Sequence, residues 1–278
     1  MDIGVFIFPT DYTIRMDELA PALEERGFES LFVPEHTHIP TSRKSPWPGG
    51  DELPREYWST FDPFVALSFA AGASSKLKLG TGICLLPQRD HFATAKSIAS
   101  LDKLSGGRFI FGMGGGWNVE EMENHGVEHK TRFKKLREQV LAMKELWTKE
   151  AAEYHGDFVN FDPVWADPKP LQQPHPPIIL GGETIHTMRR VVEFCDGWFP
   201  RPRFGFDVAG GIAQLREVAD EAGRDFSELS ITAFGAKPDK QVMESYVEAG
   251  VTRALIGLAS RPRDEVLQKL DEHAKLIT

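Results

Sequence analysis

Cysteine is nearly absent. Cys84 and Cys195 are the two in 278 residues, and neither sits in a Cys-x-x-Cys or histidine-rich setting. That excludes a disulfide framework and a cysteine-rich structural metal site, and it fits a reducing compartment. Positive charge is in deficit too, with 32 basic against 41 acidic residues and a formal net charge of −9. Such a chain repels phosphate backbones and anionic lipid, so no nucleic-acid partner is expected. No apolar run approaches the roughly 18 residues of a membrane-spanning helix, so no membrane partner is expected either. The first residues enter a strand-like run at 3–8 without the basic stretch, apolar segment and small-residue cleavage site of a secretory signal. A soluble cytoplasmic protein is the expectation.

What is present is enough apolar residue for a large core: 41% hydrophobic against 26% charged. Short β-rich runs recur at 3–8, 30–34, 77–85, 108–112, 177–180, 197–200, 229–234 and 253–258. Their uniformly apolar character, as in Phe109-Ile110-Phe111 and Ile178-Ile179-Leu180, suits strands buried on both faces of a parallel sheet. Between them lie helical periodicities. Phe133, Leu136, Val140, Met143 and Trp147 alternate at spacings of three and four and line one helix face. Gly27, Gly223 and Gly250 close helical stretches, and Pro21 should kink the first helix. Eight strand–helix repeats in one chain favour a closed (β/α)8 TIM barrel over an open sheet, with residues 1–278 as one domain. Two longer connections interrupt the rhythm, at 35–60 and 154–176. Because barrel sites are built from the loops after the strands, 35–60 is a candidate lid or substrate wall; the alternative is a surface loop without a role.

Three places can carry chemistry. Gly112-Met113-Gly114-Gly115-Gly116-Trp117 follows the fourth predicted strand, and its glycines let backbone approach a flat ring or a phosphate. It is no dinucleotide fingerprint, since Gly-x-Gly-x-x-Gly needs glycine where Trp117 stands. A flexible turn explains the glycines as well. Gly181-Gly182-Glu183-Thr184 follows the fifth predicted strand and opens a helix at Ile185. Free amides at such a helix start make an anion site, and Thr184 can cap the helix, donate to a phosphate, or both. Glu183 is unhelpful beside a phosphate unless it points outward. His36 and His38 flank Thr37 past the second strand, a spacing also found in metal-dependent hydrolases. No strand-terminal histidine or carboxylate set completes a coordination sphere, so no metal ligand is assigned, and His38 reads as a surface histidine.

Five segments in order carry a resemblance: Pro34-Glu35-His36, Leu79-Gly80-Thr81-Gly82-Ile83, the run from Leu101 to Arg108, the glycine turn ending at Trp117, and Pro176-Pro177-Ile178-Ile179-Leu180-Gly181-Gly182. With them the chain resembles the luciferase-like monooxygenase superfamily over nearly its whole length. It looks most similar to the branch of oxidoreductases dependent on the deazaflavin coenzyme F420. The resemblance implies a bacterial luciferase-like barrel whose carboxyl-end pocket holds a tricyclic ring, with Gly181, Gly182, Thr184 and Ile185 on its phosphate. It implies a non-prolyl cis peptide at Gly82-Ile83 behind the ring and His36 as general acid or base near the reactive carbon. Gly114, Gly116, Trp117 and Asn118 fall on the glycine turn of the cofactor site, and Trp198 forms either a pocket wall or core.

One departure matters. Sugar-phosphate dehydrogenases of the family have a catalytic glutamate where Trp117 stands, and a tryptophan cannot trade protons. It can stack on a ring instead. The sequence therefore predicts hydride transfer between coenzyme F420 and a small organic substrate in a homodimeric enzyme. A flavin mononucleotide (FMN)-dependent monooxygenase is the alternative within the fold. A non-catalytic flavin-binding barrel and a metal-dependent hydrolase are the alternatives outside that chemistry.

Overall fold

Eight of the apolar runs become parallel strands joined in a closed ring, in a computed structural model that describes residues 1–202 and 205–277. In chain order the strands are β1 (Asp2–Phe6), β2 (Ser30–Val33), β3 (Lys78–Thr81), β4 (Phe109–Met113), β5 (Ala152–His155), β6 (Asn160–Val164), β7 (Ile178–Gly181), β8 (Gly197–Phe199), β9 (Ser230–Ala236) and β10 (Arg253–Gly257). Around the barrel they run β1, β10, β9, β8, β7, β4, β3, β2 and back to β1. The expected (β/α)8 barrel is the fold that forms.

β5 and β6 stand outside it as an antiparallel hairpin, Tyr154 facing Phe161. The connection at 154–176 is thus partly ordered by its own strand pairing, which no pattern in the sequence predicts. The reason is chemical. β6 carries Pro163, which cannot donate to a ladder and is confined to strand edges. Its side chains are exposed or half-buried, so no apolar alternation marks it.

The helices are α1 (Met16–Glu25), α2 (Glu56–Ser59), α3 (Pro63–Ala73), α4 (His91–Leu104), α5 (Val119–Asn124), α6 (Arg132–Thr148), α7 (Ile185–Phe194), α8 (Val208–Glu221), α9 (Lys240–Ala249) and α10 (Arg263–His273). Short polar side chains start several of them. Asp62 accepts from Phe64 and Val65 N–H, Asp90 from Ala93, and Asp239 from Val242. Each cap satisfies amides that a helix start leaves without partners, worth about 1 kcal/mol. Gly250 ends α9 at a φ of 88°, a left-handed conformation that costs glycine least. α1 continues through Pro21. No described helix is long and apolar enough to cross a membrane.

Strand alternation splits the apolar side chains between two cores. Val5, Leu31, Phe109, Phe111, Leu180 and Trp198 point outward into the layer between sheet and helices. Phe6, Phe32, Ile110, Ile179, Phe199 and Leu255 fill the barrel interior, with Ile83 and Phe234 packed on top. Fully burying one such side chain contributes about 1.5–3 kcal/mol. The interior is a packed plug, and its upper surface becomes the floor of the site.

The run from Leu101 to Arg108 is a brace. The fully buried Asp102 accepts from Leu171 N, Gln172 N and Gln172 Nε2, while Arg108 donates to the carbonyls of Ala71, Ser74 and Leu77. One motif thereby ties α3, α4 and the segment before β7 together.

Candidate active site at the carboxyl end of the barrel

Every strand-to-helix turn that the sequence singled out opens on one cavity of about 290 Å³ at the carboxyl end of the barrel. Its floor is Ile83, between the backbones of Gly114 and Gly181, above the rings of Phe6, Phe199 and Phe234. The first glycine is required, and the second leaves only an ordinary contact. A Cβ at Gly114 would collide with Ile83 Cδ1, and one at Gly181 would stand 3.5 Å from Ile83 Cγ2. The Gly82–Ile83 peptide is cis, as the resemblance implies.

His36 forms one wall. It is 9% exposed, and its Nδ1 lies 2.8 Å from Oε2 of Glu121, which is fully buried. With Glu121 ionised, Nδ1–H donates to the carboxylate and Nε2 is the nitrogen left with a lone pair. Glu121 Oε1 is buried with no hydrogen-bond partner among the described residues. The ring of His36 is flanked by Tyr57 at 5.3 Å and by Trp117, edge-on, at 5.8 Å.

Glu35, beside it, is nearly fully buried and committed to structure. It accepts from Leu85 N–H at 2.7 Å and from Arg89 at 2.5 Å, and Arg89 also binds Asp62. Burial, followed by the Glu35 charge, pushes the Cys84 thiol well up, so that cysteine is no nucleophile.

The connection at 35–60 supplies the outer wall through Pro48 and Tyr57. It is pinned from beneath by Glu120 in the first turn of α5. That carboxylate accepts from Ser42 Oγ at 3.0 Å, from Lys44 N at 2.8 Å, from Ser45 N and from Ser45 Oγ. Arg43 is stacked over Trp117, its guanidinium carbon 5.9 Å from the ring centre.

Opposite lies the turn after β7. Glu183 is turned onto Arg201, which donates to it from Nε and Nη2 at 2.9 Å each. The hydrogen bond to Glu183 raises the Arg201 pKa above its ordinary value. The glutamate charge that would oppose a phosphate here is therefore already paired.

Of the residues assigned from sequence, His36, Gly82, Ile83, Gly114, Gly116, Trp117, Gly181 and Gly182 all line the cavity. Asn118, Thr184, Ile185 and Trp198 line none of it. Asn118 is buried and caps α5 by accepting from Glu121 N–H at 3.2 Å. Thr184 caps α7 through Thr187 N–H, and Ile185 packs on the outer core. Trp198 is core, fully buried, and its Nε1–H donates to the Gly182 carbonyl at 2.7 Å, holding that turn from behind. His38 sits apart from the cavity, with Thr37 and Asn124 on its two ring nitrogens.

Sequence reasoning missed Glu121, Tyr57, Arg201, Phe133 and the phenylalanine floor. One signal pointed to Glu121: Asn118-x-x-Glu121 has capping-box spacing, which marks a helix start and turns the glutamate back toward the preceding turn.

A flat, uncharged ring face suits this floor, because glycine backbones and aromatic edges approach it without polar side chains. At its edge stand His36 and the backbone of the Gly181–Gly182 turn that leads into α7. These residues therefore fit a flavin-type ring.

The comparisons agree with that geometry. The model of the luciferase-like monooxygenase family matches residues 1–274. An uncharacterised Mycobacterium tuberculosis protein is 39% identical over 269 residues, spanning 95% of this chain and 94% of that protein. A Pseudomonas putida FMNH(2)-dependent dimethylsulfone monooxygenase is 33% identical over 171 residues, 60% of this chain and 46% of that protein. Among solved structures, an F420-dependent secondary alcohol dehydrogenase in complex with an F420-acetone adduct superposes with a TM-score of 0.76 at 18% identity, covering 99% and 97% of the two chains.

Proposed function

The chain belongs to the luciferase-like monooxygenase family, and from that premise we propose that it is a homodimeric oxidoreductase that uses coenzyme F420 on a small organic substrate. The observation that carries this is the Ile83 floor between two glycine turns, with a carboxylate-backed histidine at its edge.

When bound, a reduced deazaflavin supplies a hydride to the substrate. The chain supplies everything else. Gly82 and Ile83 back the ring, and Gly114 and Gly116 let backbone come up to it. Asn118, by capping α5, keeps Glu121 under His36. Gly181 and Gly182 offer amides to the phosphate at the start of α7, with the Thr184 hydroxyl beside them and Ile185 seating the first turn. Trp198 fixes that turn through the Gly182 carbonyl. His36 exchanges a proton at Nε2: as the neutral ring it takes one from an alcohol that gives up hydride, and as the imidazolium anchored on Glu121 it gives one to a carbonyl oxygen that receives hydride. Trp117, Tyr57 and Pro48 shield the ring from water and shape the substrate space.

A second reading keeps all these roles but takes FMN and oxygen, and the name of the Pseudomonas relative favours it. Titration of the purified protein with F420 and with FMN, oxidised and reduced, separates the two through intrinsic tryptophan fluorescence, Trp117 being the tryptophan that lines the cavity. Preference for F420 supports the proposal. Preference for FMN moves it to the second reading. Binding of neither removes both; tight binding without turnover would identify a non-catalytic flavin carrier. Sedimentation of the same samples at one chain mass would remove the homodimer.

A further inference from the structure

Among the described residues, the carboxylates, cations and histidines that line the cavity are Glu35, Arg201 and His36, and each is committed to a protein partner. Glu35 accepts from Leu85 N–H and from Arg89, and His36 turns its Nδ1 to Glu121. Arg201 is half-exposed at the cavity edge, yet it is held more closely than a surface cation usually is. Its Nε and Nη2 donate to the two carboxylate oxygens of Glu183 at 2.9 Å each, and its backbone N–H donates to the same carboxylate at 3.0 Å.

The barrel register places this pair. β7 and β8 are matched at Gly181 and Phe199, so Glu183 and Arg201 each stand two residues past a paired position, side by side at the carboxyl end. Trp198 holds the same turn from behind through the Gly182 carbonyl. Two parallel charge-assisted hydrogen bonds fix the direction of both groups as well as their distance. An ion pair this exposed adds little to stability. What it changes is the charge that a ligand meets on entering the cavity.

A carboxylate could reach Arg201 only by lying beside Glu183, and an ammonium could reach Glu183 only by lying beside Arg201. Either ion is repelled by one partner as it is drawn to the other, and it also loses its water among Phe8, Pro48, Tyr57 and Trp117. An uncharged molecule meets neither cost. The rings of Phe8 and Tyr57 are 4.7 Å apart, and Tyr57 and Trp117 flank His36, so the wall around the proton-exchanging nitrogen is made of aromatic faces and edges. We infer that the Glu183–Arg201 pair sets the charge selectivity of the site, and that its substrate is an uncharged carbonyl compound or alcohol with a flat apolar group next to the reacting carbon. The inference rests on the proposed oxidoreductase reading and narrows its substrate.

Benzamide, benzoate and benzamidinium share one shape and differ in charge, which makes them the probes. Calorimetric titration measures benzamide on the chain loaded with whichever cofactor binds, or on the bare chain if neither does, and competition against bound benzamide measures the two ions. The native chain should hold benzamide about tenfold more tightly than either ion. E183Q releases Arg201 and should raise the affinity for benzoate relative to benzamide about tenfold; R201Q releases Glu183 and should do the same for benzamidinium. A ratio that keeps its native value in either variant overturns the role of the pair. A native chain that takes an ion as tightly as benzamide, or takes no benzamide, overturns the substrate class. Should one variant fail to fold, the other carries the test, and should both fail, the order of the three probes on the native chain decides. Failure of both cofactors to bind ends the cofactor reading by itself, while the order of the probes on the bare chain still supports or overturns the charge selectivity.

Discussion

His36 Nδ1 sits 2.8 Å from a fully buried carboxylate, so its tautomer and ring plane are set before any ligand arrives. That gives His36 and Glu121 separable roles. His36→Ala should lower turnover by about 10²–10⁴-fold, the usual worth of a positioned proton donor or acceptor, with cofactor affinity nearly unchanged. Glu121→Gln keeps the shape and cannot anchor an imidazolium, so it should lower kcat by a smaller factor at constant cofactor Kd. If Glu121 acts only through His36, the double variant should be no slower than His36→Ala alone. Steady-state kinetics beside a binding titration checks this, and additive losses would show that Glu121 works independently. At this scale the sequence told half. His36 was legible from its place after a strand, and the cavity glycines from their clustering. Glu121 was not, because it is 85 positions from His36 and only the barrel brings them together. Trp198 illustrates the reverse: a tryptophan after a strand suits wall and core equally, and only its burial and its bond to Gly182 decide for core.

Elements that touch the site differ in how firmly they are held. The wall formed by residues 35–60 has little regular structure beyond α2, and its inner end depends on the Glu120 carboxylate gathering Ser42, Lys44 and Ser45. Those hydrogen bonds, Ser45 first among them, hold the Glu120 carboxyl down to about 2, so the clasp is intact throughout the neutral range. Glu120→Ala should free the loop. Limited proteolysis should then cut within residues 42–53 several times faster, and KM should rise more than kcat falls, because Pro48 and Tyr57 no longer stay in place. An unchanged cutting rate would mean that other contacts hold the wall. The sequence marked this connection as a wall from its length and position, but the clasp is invisible there, since an acidic residue in a first helical turn usually serves only the helix dipole. The β5–β6 hairpin stayed hidden for a related reason: strands that bury little carry no apolar period.

At the scale of the whole molecule, strand count and alternation were enough to predict the barrel, yet its closure rests on charges that no periodicity announces. Arg253 on β10 is 7% exposed at the amino end of the barrel and donates to both oxygens of Glu29 at 2.7 Å, just ahead of β2. Lys78 on β3 reaches the same carboxylate at 2.8 Å, and Asp2 on β1 stands 4.0 Å from Arg253. One ionic knot therefore spans the seam where the last strand meets the first three. Burial pushes the Glu29 carboxyl up, but the hydrogen bonds and charge of Arg253, with Lys78 behind them, outweigh it and bring it from 4.5 down to about 2. A folded-state pKa below the unfolded one stabilises the fold fully above 4.5 and less and less as pH falls toward 2. The depression corresponds to roughly 3 kcal/mol at most. Glu29→Gln should thus destabilise the protein by about 2–3 kcal/mol at neutral pH, where it leaves the Arg253 charge buried beside an amide. The gap between variant and native chain should close as the carboxylate of the native chain takes up its proton. Denaturant unfolding at pH 7 and near pH 3 measures it. A gap of constant size across that interval would mean that Glu29 serves the seam by shape alone and that closure of the barrel owes nothing to its charge.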